Sequence, residues 1–329
     1  MSYFNIKGRP RIRQGFTLIE LLVVIVIIGI LASLIMVGAT AARRTVRQGL
    51  IKTEITSVDG ALEIYKTRYG EYPPDFSDKT AVMRHVRKRW PSYQTTESDF
   101  YSAIQSAGWN IDVNNSHGIG HVGALALWLG GPFDETRGML GGWGLDASNP
   151  FNTAAQREEP IMELTLGRNL EQITVGSRTI YAITANKQPM VYFRPTTLGY
   201  LNQIQASVPL TYSLRHVHGG SDIGCAVPYV KSLADDFIES DGTPNPLYVN
   251  SDGDITTRGT KAIVWHNPTS YQIIHPGVDG VFGSEDGNLP CDGLLRVANP
   301  ANDDMKFCTL EDNDNQANFG GNTIETSGN

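Results

Sequence analysis

TLIELLVVIVIIGILASLIMVGATAA, residues 17–42, is the stretch that decides the architecture. Glu20 is its only ionisable side chain, and Leu18 to Val37 supplies 20 mostly aliphatic residues. At about 1.5 Å per residue, such a run lets one helix cross the roughly 30 Å hydrocarbon layer of a bilayer. Lys7, Arg9, Arg11 and Arg13 precede it, and Arg43, Arg44 and Arg47 follow. The leading cluster favours a cytoplasmic N-terminus, while the trailing arginines blunt the asymmetry. Ala39-Thr40-Ala41 has the form of a signal-peptidase site, but the apolar run is long for a secretory signal and carries an acid. The segment reads as a retained membrane helix, about 17–42.

Glu20 needs a reason, because a carboxylate in hydrocarbon is costly and is kept for a partner or snorkels to the headgroups. Its neighbourhood, Arg13-Gln14-Gly15-Phe16-Thr17-Leu18-Ile19-Glu20-Leu21-Leu22-Val23-Val24-Ile25, resembles the processing motif of type IV prepilins and type II secretion pseudopilins. The resemblance implies removal of a basic leader, residues 1–15, by a prepilin peptidase that cuts between Gly15 and Phe16 and methylates the new Phe16 amine. Gly15 has no side chain to obstruct a protease approaching its backbone. The cut creates an amine, and a charge pair within a membrane costs far less than either charge alone. In this family Glu20 is expected to meet the Phe16 amine of a neighbouring subunit and set the stagger of assembly. A simple anchor would gain nothing from that acid.

Beyond the membrane segment the helical pattern continues. Ile51, Ile55, Val58, Leu62, Tyr65 and Tyr69 follow one another at steps of 4, 3, 4, 3 and 4 residues, one narrow apolar stripe that faces a core. Gly70 is a natural C-terminal stop and Tyr72-Pro73-Pro74 forbids continuation. One helix is therefore expected over residues 16–70, transmembrane first and amphipathic after. The Tyr-Gly-Glu-Tyr-Pro-Pro ending also resembles the helix exit of major pseudopilins.

Residues 71–329 contain no second apolar span and form one extracytoplasmic globular domain. Its 34 Gly and 17 Pro, counted over the chain, indicate a loop-rich body. The net charge of −7 argues against a nucleic-acid partner. Ala81 to Trp90 is a short helix candidate whose Arg84, Arg87, Lys88 and Arg89 read as a solvated basic face. The glycines between Gly130 and Phe151 mark a long loop, not a phosphate cradle. Arg178–Ala185, Met190–Arg194, Ala262–His266 and Tyr271–His275 read as strands, with Asn186-Lys187-Gln188 as a hairpin connection. The expected fold is α+β and pilin-like: a long N-terminal helix packed on an antiparallel sheet with large loop-rich insertions.

The segment Tyr271 to Gly283 resembles the last strand and following loop of major pseudopilins, where an Asp-containing loop binds calcium. Asp279, Ser284, Glu285, Asp286 and Asn288 could contribute oxygen ligands to a Ca2+ ion; the same Asp-Gly pairs also serve as plain turn residues. Cys291 and Cys308 are close enough in sequence to form a disulfide in an oxidising compartment, with Cys225 left reduced. His117 and His121 are separated by glycines, and no HExxH, GxSxG or nucleophile–base–acid pattern is legible, so no catalytic residue is assigned.

The resemblance implies a structural subunit of a type II secretion pseudopilus or type IV pilus-like filament. Its partners would be the prepilin peptidase, other pilin-like subunits and an inner-membrane assembly platform. It would sit in the inner membrane with its globular domain periplasmic or extracellular. The alternative from another class is a helix-anchored extracytoplasmic binding domain that does not polymerise.

Overall fold

The computed structural model describes residues 17–109, 120–152, 156–175, 178–195, 200, 226, 228–233, 263–278, 280, 282, 296–297 and 316–319. The chain divides into two units, Met1–Val46 and Arg47–Asn329, and helix α1, Leu18–Tyr69, contributes to both. In the first unit, Leu18–Met36 is long and apolar enough to span a membrane, with a mean hydropathy of 3.1 and none of it buried. A helix suits that setting because its backbone bonds close internally. Ser33 follows the same rule, its hydroxyl donating to the Ile30 carbonyl at 2.7 Å.

In the second unit the predicted stripe is buried. Ile51, Val58, Leu62 and Tyr65 are fully buried and Ile55 nearly so. Helix α1 stops where expected: Gly70 takes φ +79 and donates its N–H to the Lys66 carbonyl at 2.7 Å, a left-handed cap that a side chain would strain. The exit segment is then clamped. Tyr192 donates to the Pro73 carbonyl at 2.7 Å and Trp128 Nε1 to that of Pro74 at 3.0 Å.

Three shorter helices follow among the described residues. Helix α2, Lys79–Arg89, is capped by Asp78, which accepts from Thr80 N–H. Helix α3, Glu97–Ser106, is capped by Thr96, which accepts from Asp99 N–H. Helix α4, Gly120–Gly130, is buried on every side and packs on strands β4, Arg178–Ala185, and β6, Val191–Phe193. Between them in sequence lie the short hairpin β1–β2 (Phe133–Asp134 and Met139–Leu140), strand β3 (Leu170–Val175) and strand β5 (Gln188–Pro189). The later strands are β7 (Tyr229–Leu233), β8 (Ile263–Trp265), β9 (Gln272–His275), β10 (Arg296–Val297) and β11 (Gln316–Ala317).

The strands form the orders β3-β4-β5, β11-β9-β6, β10-β7-β8 and β1-β2. All pairings are antiparallel except β10 with β7. The expected hairpin exists but is tighter. Asn186 and Lys187, with φ of 47 and 65, make the whole turn, and Ala185 faces Gln188. The strand expected at Met190–Arg194 pairs with β9 instead of β4. Helix α1 is tied to this β9 layer. Tyr271 donates to Asp59 Oδ1 at 2.6 Å, and Asn318 donates to the same oxygen at 3.3 Å while accepting from Ile273 N–H.

The glycines expected to mark a long loop let backbones touch. A Cβ on Gly131 would come within 2.6 Å of the Gly142 backbone, and one on Gly142, whose φ is +81, would overlap the Glu158 carbonyl. Their smallness holds β1, β2 and the chain at 156–162 together.

Candidate functional site

The first turn of α1 is held by a reciprocal pair. Thr17 N–H and its hydroxyl both donate to Glu20 Oε2, at 2.8 and 2.7 Å, and Glu20 N–H donates back to Thr17 Oγ1 at 3.3 Å. This is a capping box, in which two backbone donors left over at a helix start are satisfied by side chains three residues apart. The acid thus has work within a single chain, beside the pairing with a neighbouring subunit expected of it. The signal was readable: Thr-x-x-Glu before an apolar run is itself a helix-start pattern. Immediately after the box, the large apolar residues from Leu18 to Met36 are all exposed. Such a surface is stable only against lipid or other apolar helices.

In the second unit, the C-terminal end of α1 is locked by a buried polar network. Tyr65 donates to His85 Nε2 at 2.7 Å, and His85 Nδ1–H donates to Glu71 at 2.8 Å. Arg89 donates to Tyr65 at 3.1 Å, to Tyr69 at 2.8 Å and to Glu158, which also accepts from Tyr69. The Arg89 guanidinium lies 4.0 Å from the Tyr69 ring centre and 4.4 Å from that of Trp90, favourable cation–π geometry. Its side chain is only 2% exposed. The expectation of a solvated basic face therefore holds for Arg84, Arg87 and Lys88, which are exposed, and fails for Arg89. A guanidinium, with five donors and a flat face, can satisfy acid and rings at once.

The charges in this network are tuned by their neighbours. The hydrogen bond from His85 leads the effects that hold the Glu71 carboxyl down to about 2, with Arg194 assisting against partial burial. Burial depresses His85, and Glu71 opposes that only in part. His275 on β9 is more extreme. It accepts from Gly277 N–H on Nδ1 and reaches the Ala185 carbonyl through Nε2 at 2.9 Å, and burial pushes it down to about 4. In both histidines burial disfavours the charged form.

The remaining predicted residues fall elsewhere. Gly15 and Phe16 lie outside the described residues, as do Asp279, Ser284, Glu285, Asp286 and Asn288 of the calcium expectation and Cys225, Cys291 and Cys308. His121 is buried with Nδ1 at 3.2 Å from the Tyr192 carbonyl and 3.4 Å from Asp75. Among the described residues no group of three or more His, Cys, Asp or Glu side chains could hold a metal.

Comparison with known proteins gives a consistent result. The prokaryotic N-terminal methylation motif matches residues 10–36. The chain is 30% identical over 146 residues to the type II secretion system core protein G of Pectobacterium carotovorum, covering 43% of this chain and 92% of that one. The protein of the same name from Klebsiella pneumoniae is 36% identical over 133 residues, 40% of this chain and 94% of the relative. That of Escherichia coli is 38% identical over 138 residues, 40% and 92%. No solved structure matches. Nearly all of each of these relatives has a counterpart here, while more than half of this chain has none in them.

Proposed function

The chain belongs to the type II secretion system core protein G family, and from that premise we propose how its N-terminal helix is matured and used. It is a structural subunit of a secretion pseudopilus. In this reading a prepilin peptidase cuts between Gly15 and Phe16 at the cytoplasmic face and methylates the Phe16 amine. The subunit waits in the inner membrane through α1, with its body on the far side, and is drawn by an assembly platform into a polymer of pilin-like subunits. Its work is mechanical, and no residue is assigned a catalytic role. The Asp279–Asp286 loop is offered for Ca2+ and Cys291 with Cys308 for a disulfide, both as secondary features of the body.

One observation carries the reading: the methylation motif over residues 10–36 overlaps an apolar helix segment, Leu18–Met36, none of which is buried among the described residues. Mass spectrometry of membrane-extracted protein tests it. The expected chain begins at N-methylated Phe16, retains 314 of the 329 residues and has lost Lys7, Arg9, Arg11 and Arg13. An assembled fraction that still begins at Met1 would overturn the maturation step.

The non-polymerising anchor remains as a second reading because the Thr17–Glu20 box gives the acid a purely local use. Two substitutions separate the readings. Glu20→Gln keeps an N3 side chain that can cap and removes the charge; Thr17→Val keeps the charge and breaks the box. Loss of polymer in Glu20→Gln with retention in Thr17→Val identifies the charge as the assembly determinant.

A further inference from the structure

A cleft of about 670 Å³ lies between the C-terminal turn of α3 and the β1–β2 hairpin, a size that suits a small ligand or the end of a chain. None of the contacts of the assembly helix or of the polar network enters it. Phe133 and Phe151 supply its aromatic part, and both rings are fixed from behind. Phe133 stacks on Tyr181 with centroids 4.5 Å apart, and Phe151 packs edge-on to Trp143 at 5.3 Å and to Phe100 at 5.8 Å. Preset rings cost a ligand little ordering entropy.

Beside small residues of the α3 end such as Ala103 and Ala107, the lining presents flat polar groups: the amide of Gln105, the carboxylates of Asp134 and Glu135, and the guanidinium of Arg157. Asp134 already pairs with Arg157 at 3.6 Å and with Arg137 at 3.9 Å, and its other oxygen accepts from Thr136 and Arg137 N–H. Within the lining two carboxylates face one guanidinium, and Arg137 offsets Asp134 further from outside the cleft. With Asp134 so engaged, the remaining charge at the exposed Glu135 is solvated and gives no strong preference for a charged ligand. Planar donors and acceptors beside fixed aromatic rings match a neutral ligand dense in hydroxyl groups with C–H faces between them.

We propose that this cleft binds a neutral saccharide, the terminal one or two units of an oligosaccharide. Its C–H face lies on Phe133 or Phe151 and its hydroxyls bond Gln105 and Glu135, which are exposed and able to turn toward it. The cleft would give the filament surface a glycan contact that the assembly helix does not provide.

The full chain, held in a detergent without a sugar headgroup, is titrated with maltotriose, cellotriose, chitotriose and xylotriose. Saturation-transfer NMR and tryptophan fluorescence are the readouts. At least one trisaccharide is expected to bind with a Kd of about 1 mM or tighter, and Glu135→Ala and Gln105→Ala are each expected to weaken it about tenfold. Both side chains are exposed, so thermal melting should not move. No binding of any of the four at about 10 mM, or equal binding by the double variant, would overturn the proposal. So would tighter binding of a trilysine peptide than of every sugar, which would mark the cleft as a site for basic side chains.

Discussion

The two ends of α1 both carry apolar surface and have opposite fates. From Leu18 to Met36 the large apolar side chains are between 43% and 82% exposed, whereas Ile51, Val58, Leu62 and Tyr65 are at 0%. The difference is in content and arrangement together. The first stretch is apolar all round, which no single face of a core can cover, and the second confines its apolar residues to one stripe with charges elsewhere. The hydrophobic surface of the second has been spent on folding. That of the first is held in reserve for lipid and for other subunits.

Substitutions sharpen this contrast, and the largest effect is expected in the exposed half. Glu20→Gln should leave membrane insertion intact and abolish intersubunit crosslinks in membrane fractions; wild-type crosslink ladders would show that the charge is dispensable. The next effect belongs to the buried half. Arg89→Ala strands Glu158 and empties an aromatic cage, and should cost about 3–5 kcal/mol in urea unfolding of the body; a loss under about 1 kcal/mol would mean that the network is no more than a surface ion pair. A matched pair of truncations then compares the halves directly. Leu62→Ala should cost about 3 kcal/mol, and Leu22→Ala should leave unfolding of the body within about 0.5 kcal/mol of wild type. Equal losses would erase the distinction drawn above.

The last effect is a pH slope confined to the body. His275 has a folded pKa near 4 and an unfolded value near 6.5, so between these values the unfolded chain binds the extra proton. Stability should fall as pH drops from about 6.5 toward 4, by an amount on the order of 3 kcal/mol. The depressed His85 acts in the same direction. Glu71, held near 2, contributes stability that is present above its ordinary value and lost only as pH falls from about 4.5 through 2. Denaturant midpoints measured from pH 7 to 4 should show the slope, and His275→Gln should flatten most of it. An unchanged slope in that variant would place the proton uptake elsewhere.

How much of this was legible depended on whether a residue's role is set by its near neighbours. The stripe of α1, its stop at Gly70 and the strand Arg178–Ala185 follow from local periodicity, and each appears where it was expected. Helix α4 carries no such signal, because Gly-His-Val-Gly-Ala-Leu-Ala-Leu-Trp-Leu-Gly is buried on all sides and has no polar face. Helix α3 is short and depends on its Thr96 cap and on the core beneath Phe100, Tyr101 and Ile104. Arg89 looks like Arg84 and Arg87 in sequence; what distinguishes it is Glu158, 69 positions away. At the candidate site, Glu20 was found from its place in an apolar run. Its bond to Thr17 was equally readable and was obscured by the stronger pattern around it.

The bonds that fasten Asp59 to Tyr271 and Asn318 span 212 and 259 positions. Their length in sequence sets an order of events. Helix α1 is the first described element to leave the ribosome, and its amphipathic half cannot complete its packing until the last described strand, β11, has been synthesised. Closures over such separations are slow, since the entropy of a long loop must be lost before any contact compensates for it. Throughout that interval the stripe from Ile51 to Tyr65 is an uncovered apolar surface, open to chaperones and proteases. A subunit whose fold is sealed by residues 316–319 cannot present a finished body until those residues have been made, so folding and assembly are separated in time.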